Sequence, residues 1–237
     1  MRSVKGRIGI FGGTFNPVHM GHLIAAEDVR YKMKLDKILF IPSNIPPHKS
    51  TKGLISAEDR LNMVKLAIEG NPFFECSDIE IKRGGKSYTI DTVKEVKNIN
   101  KAEYFFILGG EAFLSFHNWK NPEGILREID LIVISRPFGA VSSHDLENYL
   151  LDLEEILEGF RYVDSEVFGD RGDIVRFVVT VGDLERNIYY VKVVSVDISS
   201  TMVRKRIKKG MPFRYLIPES VYDYIVRRGL YLHGSGG

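Results

Sequence analysis

The residues most able to do chemistry lie close to the start of the chain. Residues 12–22 read Gly-Gly-Thr-Phe-Asn-Pro-Val-His-Met-Gly-His. Without a Cβ, Gly12 and Gly13 let the backbone come close to a bulky anion. If a helix begins shortly after them, its first N–H groups face the same anion. His19 and His22 are three residues apart, so on a helix both rings project from one face. Two imidazoles there can donate hydrogen bonds to phosphate oxygens. A zinc site would need further ligands, and none stands nearby in the sequence.

A second segment has similar chemistry. Ile198-Ser199-Ser200-Thr201-Met202-Val203-Arg204 offers three hydroxyls, the first turn of an expected helix and, one turn on, a guanidinium with a planar fork of donors. Taken alone, it reads equally well as a serine cap beside a surface arginine. Alongside the first segment, anion binding becomes the better reading. Lys49 follows the stiff pair Pro46-Pro47, which presets its direction. Trp119, the single tryptophan, stands among the polar residues His117, Asn118 and Lys120, so a core role and stacking on a ligand ring both fit. Arg83 suits an acidic ligand or a surface ion pair.

These groups need a frame to hold them. Apolar runs at 8–11, 37–42, 73–81, 103–108, 130–135 and 191–196 read as strands, two of them continuous enough for a sheet covered on both faces. Helical spacing separates them. Leu23, Ala26, Val29 and Met33 form one stripe. Ser56 and Asp59 form a cap ahead of Leu61, Val64 and Ile68. A helix follows Tyr88, with Ile90, Val93 and Val96 on one face. Ser199 or Ser200 caps a helix running to about Lys209, with Gly210 ending it. Pro218 at the first helical position opens the last helix, and Gly229 closes it. Strand–helix alternation predicts an α/β doubly wound parallel sheet in one domain, residues 1–233, with ligands beyond the carboxyl ends of the strands. Residues 138–187 are acidic, then irregular, and carry no assigned role. Residues 234–237 read as a flexible tail or a cloning remnant.

Composition excludes several classes. The 237 residues carry 33 basic and 31 acidic side chains, a net charge of +2, so bulk electrostatics argue against nucleic acid or an anionic membrane as partner. One cysteine makes no internal disulfide. No signal-peptide core or membrane-length apolar run is present, so a cytoplasmic location is expected. The oligomeric state is left open, a homo-oligomer included.

The first and last segments resemble the HxGH nucleotidyltransferase superfamily, whose members carry a Gly-Thr-Phe-[Asp/Asn]-Pro-x-His-x-Gly-His stretch and a late Ile-Ser-[Ser/Thr]-Thr-x-x-Arg stretch. Three further stretches are similar to the bacterial nicotinate mononucleotide adenylyltransferases. They are Pro42-Ser43-Asn44-Ile45-Pro46-Pro47-His48-Lys49, then Glu80 to Thr92 with Arg83, Ser87-Tyr88-Thr89 and Asp91, then Leu108-Gly109-Gly110-Glu111 with Trp119-Lys120. Glu111 stands where that family usually has Asp.

The resemblance implies AMP transfer from ATP to nicotinate mononucleotide, with a Rossmann-like fold and Mg2+ arriving with ATP. It implies His19, His22 and Arg204 as catalytic residues. Gly12, Gly13, Thr14, Phe15, Gly109, Glu111, Ser199, Ser200 and Thr201 join them in binding ATP. Asn16, Lys49, Ser87, Tyr88, Thr89, Trp119 and Lys120 fall to the acceptor, with Trp119 stacking on its ring. Sister enzymes acting on phosphopantetheine share the first and last segments but not the middle ones. A nicotinamide-specific enzyme and a non-catalytic nucleotide sensor are the other readings.

Chemistry of this kind needs no protein nucleophile, because the acceptor phosphate is already ionised. Its difficulty is that one anion must attack the phosphorus of another. Positioning and electrostatic stabilisation therefore dominate.

Overall fold

The computed structural model describes residues 6–47, 51–135, 141–169, 172–194 and 196–232. The chain runs β1 (Arg7–Gly13), α1 (Met20–Lys32), β2 (Lys37–Pro42), α2 (Ala57–Ile68), β3 (Phe74–Cys76), α3 (Ile79–Arg83), α4 (Thr89–Ile99) and β4 (Glu103–Gly109). It continues with α5 (Gly110–Phe113), α6 (Pro122–Glu128), β5 (Asp130–Ile134), α7 (Ser143–Ile156), β6 (Phe160–Phe168), β7 (Ile174–Val181), β8 (Leu184–Val191), α8 (Ser200–Lys208) and α9 (Glu219–Arg228).

The strands form one sheet in the order β3-β2-β1-β4-β5-β8-β7-β6. Pairings from β3 to β8 are parallel, and β7 and β6 add an antiparallel edge. Side chains alternate across the pleat, so neighbours on a strand enter opposite cores. Ile10, Phe106, Leu108 and Val133 pack into one core, while Phe11, Phe105, Ile107 and Ile132 pack into the other. Burial on both faces explains why the central strands are apolar without interruption. Each fully buried phenylalanine, such as Phe40 or Phe105, contributes roughly 1.5–3 kcal/mol over an exposed one. β1 lies between β2 and β4, where the strand order reverses, and in sheets of this kind ligands bind beyond the carboxyl ends of the strands at such a point.

Several expectations need correction. The last parallel strand is Leu184–Val191, ending where a strand over 191–196 is expected. Its pairing partner β5 sets its bounds: Leu131 to Ile134 align with Ile188 to Val191. The run 73–81 divides into a three-residue edge strand and the short helix α3. Within 138–187, residues 141–169 and 172–187 include α7, β6, β7 and the start of β8. A tight turn at Gly182-Asp183 joins β7 to β8, with Gly182 at φ 61° as such hairpins require. Pro218 is the N-cap of α9, one place before its expected position.

Candidate active site

The turn after β1 is built around its glycines. A Cβ on Gly13 would lie 2.8 Å from the ring of Phe15, and one on Gly12 would lie 3.2 Å from that of Phe106. Phe15 is buried and holds φ at 48°, rare for a bulky residue. Its ring meets that of His22 edge-on at 5.1 Å.

His19 is the N-cap of α1 and His22 lies in its first turn. Their rings stack at 3.7 Å. The backbone N–H of His19 donates to Nδ1 of His22 over 3.2 Å. The neutral His22 ring therefore carries its proton on Nε2, as a donor. Gly21, given no role of its own in the sequence, makes the stack possible, since a Cβ there would press on the His19 ring at 3.1 Å. No acidic side chain lies in the first turn of α1, so its positive end is not offset locally.

α8 brings a second helix start to this turn. Ser199 caps it by accepting from the Met202 N–H at 3.1 Å. Ser200 donates to the Pro17 carbonyl at 2.8 Å, and Arg204 Nη1 donates to the Asn16 carbonyl at 2.7 Å. Arg204 Nη2 donates to the Thr201 hydroxyl at 3.2 Å. The two segments that sequence separates by more than 180 residues are thus in direct contact.

Three interactions fix this turn from behind. Asn16 is buried, its amide donating to the Gly53 carbonyl at 3.0 Å and its Oδ1 accepting from the Tyr231 hydroxyl at 2.8 Å. The Asn16 side chain is thus engaged by the protein itself. Arg60 is fully buried on α2 and donates to the carbonyls of Thr14 (2.9 Å), Asn44 (2.7 Å), Ser43 and Ile55. It ties the ends of β1 and β2 together. Burial holds its pKa below the usual arginine value, against the opposing influence of Tyr231 and Glu80. Sequence reasoning missed Arg60, yet a signal existed: it lies four residues before Val64 and eight before Ile68, on the apolar stripe of α2.

The described members of the expected acceptor set are Asn16 in the β1 turn, Ser87, Tyr88 and Thr89 at the start of α4, and Trp119 and Lys120 ahead of α6. The Ser87 hydroxyl accepts from the Asn44 N–H at 2.8 Å, and Asn44 Nδ2 donates to the Gly85 carbonyl at 2.9 Å. Thr89 opens α4, and no side chain of its N-cap, Tyr88, bonds the first-turn amides. Lys120 lies over the Tyr88 ring at 4.5 Å and pairs with Asp91 at 3.1 Å. Trp119 is half-buried, with its ring edge-on to Phe106 at 6.2 Å and tilted against Phe116 at 5.5 Å. Phe106 therefore links the Gly12 turn to Trp119.

Arg83 makes internal contacts, to Glu95 at 2.7 Å and Thr92 at 2.9 Å. Thr92 also donates to Glu80 at 2.6 Å. Burial raises the Glu80 pKa, despite hydrogen bonds from Thr92 and Ser87 and the charges of Arg83 and Arg60. Gly109 caps the short helix α5, on which Glu111 is exposed. Lys49 lies outside the described residues. Among the described residues, no group of three or more His, Cys, Asp or Glu side chains is arranged to hold a metal ion. Nor is any helix there long and apolar enough to cross a membrane.

Two helix starts converging at the switch point of a largely parallel sheet define a phosphate-handling α/β protein, and a family model described as cytidylyltransferase-like matches residues 10–206. A relative from Desulfatibacillum aliphaticivorans, named "Probable nicotinate-nucleotide adenylyltransferase", is 41% identical over 95% of this chain and 100% of its own. One of the same name from Dictyoglomus thermophilum is 37% identical over 95% and 100%. The chain belongs to the cytidylyltransferase-like family, among its nicotinate-nucleotide adenylyltransferases. The fold is shared with Plasmodium falciparum nicotinic acid mononucleotide adenylyltransferase complexed with NaAD, at a TM-score of 0.67, 19% identity and coverage of 95% of this chain and 97% of that one.

Proposed function

We propose that the chain transfers AMP from ATP to nicotinate mononucleotide, releasing pyrophosphate and forming nicotinate adenine dinucleotide. One observation carries the reading: the starts of α1 and α8 meet at the β1 turn, with Arg204 bonded to Asn16 at 2.7 Å. An oxygen of the acceptor phosphate attacks the α-phosphorus, the bond to the bridging oxygen breaks, and the electron pair leaves with pyrophosphate. Negative charge accumulates on the phosphoryl oxygens. His19, His22 Nε2, Arg204 and the first-turn amides of the two helices offer donors for it, already oriented before substrate binds. The Ser199, Ser200 and Thr201 segment and the Gly12-Gly13-Thr14-Phe15 turn serve the donor nucleotide, with Gly109 and Glu111 nearby on its ribose side.

On the acceptor side, the open start of α4 at Tyr88-Thr89 suits the carboxylate of the nicotinate ring, which gains from the helix dipole. Trp119 stacks on that ring, and Lys49 and Lys120 meet the acceptor's phosphate or carboxylate charge. A carboxamide would point its own N–H donors at these amides and leave groups unpaired, costing ~1–3 kcal/mol. The donors near the turn are imidazoles, hydroxyls, amides and a guanidinium, a poor set for Mg2+, which prefers carboxylates and water. Mg2+ would therefore arrive with ATP as part of the substrate, and its charge would ease departure of the pyrophosphate. Reaction in the cytoplasm, where its substrates are dissolved, completes the proposal.

The test is pyrophosphate release with ATP and, separately, nicotinate mononucleotide, nicotinamide mononucleotide and phosphopantetheine. The expected result is turnover with the first and at least tenfold lower kcat/KM with the second, the factor corresponding to ~1.4 kcal/mol. Equal or better use of the amide removes the acid preference. No product with any acceptor removes adenylyl transfer.

A further inference from the structure

Gly229 stops α9 in the left-handed conformation, at φ 60°. Two residues on, Tyr231 also has positive φ, 66°, where a bulky side chain is rarely found. Its ring is buried in the core that holds Phe15 and Val18. Its hydroxyl crosses 215 residues of sequence to donate to Asn16 Oδ1 at 2.8 Å. Burial pushes the pKa of that hydroxyl far above the usual tyrosine value, so it remains a donor at working pH.

The acceptor is what gives this contact a use. Asn16 stands between Phe15, itself at φ 48°, and the segment leading to His19. Its backbone carbonyl receives Arg204, and its amide grips Gly53. A turn with such a backbone persists where its surroundings over-determine it. Asn16 is the point at which Arg204, the 51–54 loop and Tyr231 all bear on it. A tyrosine that merely filled the core could bond any nearby carbonyl. Tyr231 instead bonds the side chain of Asn16, three residues before His19 in the same turn.

We propose that Tyr231 is a positioning residue for adenylyl transfer, acting through Asn16 to hold residues 16–19 and Arg204 in register with the donor phosphates. The inference rests on the reading of the β1 turn as the ATP site. The Tyr231 hydroxyl is spent on Asn16, so it acts at one remove from the reacting groups. Its effect comes from keeping donors where charge develops, and a misplacement of about 1 Å can cost up to ~100-fold in rate.

The test compares wild type, Tyr231→Phe, Asn16→Ala, the double variant and Tyr104→Phe. Tyr104 is a fair control: it is buried, its hydroxyl donates to the Asn100 carbonyl at 3.2 Å, and it lies near the amino end of β4, whereas the β1 turn follows the carboxyl end of β1. In substrate-free protein, amide hydrogen exchange of the peptide spanning 14–19 should quicken about tenfold in Tyr231→Phe and stay unchanged in Tyr104→Phe. With ATP and nicotinate mononucleotide, kcat of Tyr231→Phe should fall about 10- to 100-fold, while the KM of the acceptor moves less than twofold. Adding Tyr231→Phe to Asn16→Ala should cost nothing further, because both remove one interaction.

Unchanged exchange in Tyr231→Phe, or an equal rise in Tyr104→Phe, overturns the hold on the turn. Faster exchange with unaltered kcat, or losses that simply add in the double variant, overturns the catalytic consequence. Absence of product from wild type would count against the proposed function instead, and the exchange measurement would still decide whether Tyr231 holds the turn.

Discussion

Replacing Arg60 with methionine should lower stability by about 3 kcal/mol, although the side-chain volume is nearly kept. The guanidinium is fully buried and donates to the carbonyls of Thr14, Ser43, Asn44 and Ile55. A hydrogen bond from a charged donor contributes roughly 1.5–3 kcal/mol, so four represent ~6 kcal/mol or more. Against this, removing a buried cation relieves a desolvation cost of several kcal/mol. The net loss is set by carbonyls left without a donor at the ends of β1 and β2, and about 3 kcal/mol is the balance. For a chain of this size, each kcal/mol moves Tm by ~2–4 °C, so the fall should be ~6–12 °C. Thermal unfolding followed by circular dichroism, with urea midpoints as a check, measures it. Arg60→Lys should recover part of the loss, because an ammonium keeps the charge but cannot span carbonyls on separate strands. A Tm within about 2 °C of wild type for Arg60→Met would refute the reasoning, since the relieved desolvation would then match the four bonds in full and leave no net loss.

Other expectations are as direct. His22→Ala should reduce kcat ~10²–10³-fold, the usual loss for one preorganised donor to developing charge, with Tm nearly kept; a collapsed Tm with normal turnover in the remaining folded protein would make the ring structural. Arg204→Lys should worsen kcat or the KM for ATP, because a lysine cannot bond the Asn16 carbonyl and Thr201 at once while facing a phosphate; steady-state kinetics equal to wild type would put Arg204 outside the reaction. Burial raises the Glu80 pKa in the folded state, so stability linked to this group is greatest below its unfolded pKa and declines as pH rises through the raised value. Tm of Glu80→Gln, relative to wild type, should therefore improve from pH 5 to pH 8, and a constant difference would contradict that linkage.

The regions hard to read from sequence have physical reasons. The Gly182-Asp183 hairpin had a local signal, a glycine between the alternating run Ile174–Val181 and the run Leu184–Val191. Acidic residues in α7 and polar ones on the edge strand β6 masked it. β6 carries a bulge between Tyr162 and Asp164, a device that blunts an edge and breaks the period-two pattern by which strands are recognised. The strand expected over 191–196 falls past β8 because Val193 and Val194 continue its apolar character beyond Val191, the last residue paired with β5.

Local chemistry was legible without a structure. Strand periodicity, the Ser56 and Ser199 caps, the Gly229 stop and the glycine–histidine turn depend on residues within a few positions of one another, and short-range sterics and hydrogen bonding decide them. Contacts across the fold were not. Arg204 and Asn16 are 188 residues apart, and Tyr231 and Asn16 are 215 apart. No local rule pairs them, because their meeting depends on the strand order that places β1 between β2 and β4. Sequence alone thus singled out the groups proposed to bind phosphate. Which of them share one turn, and that Asn16 faces inward to hold it, was decided by tertiary packing.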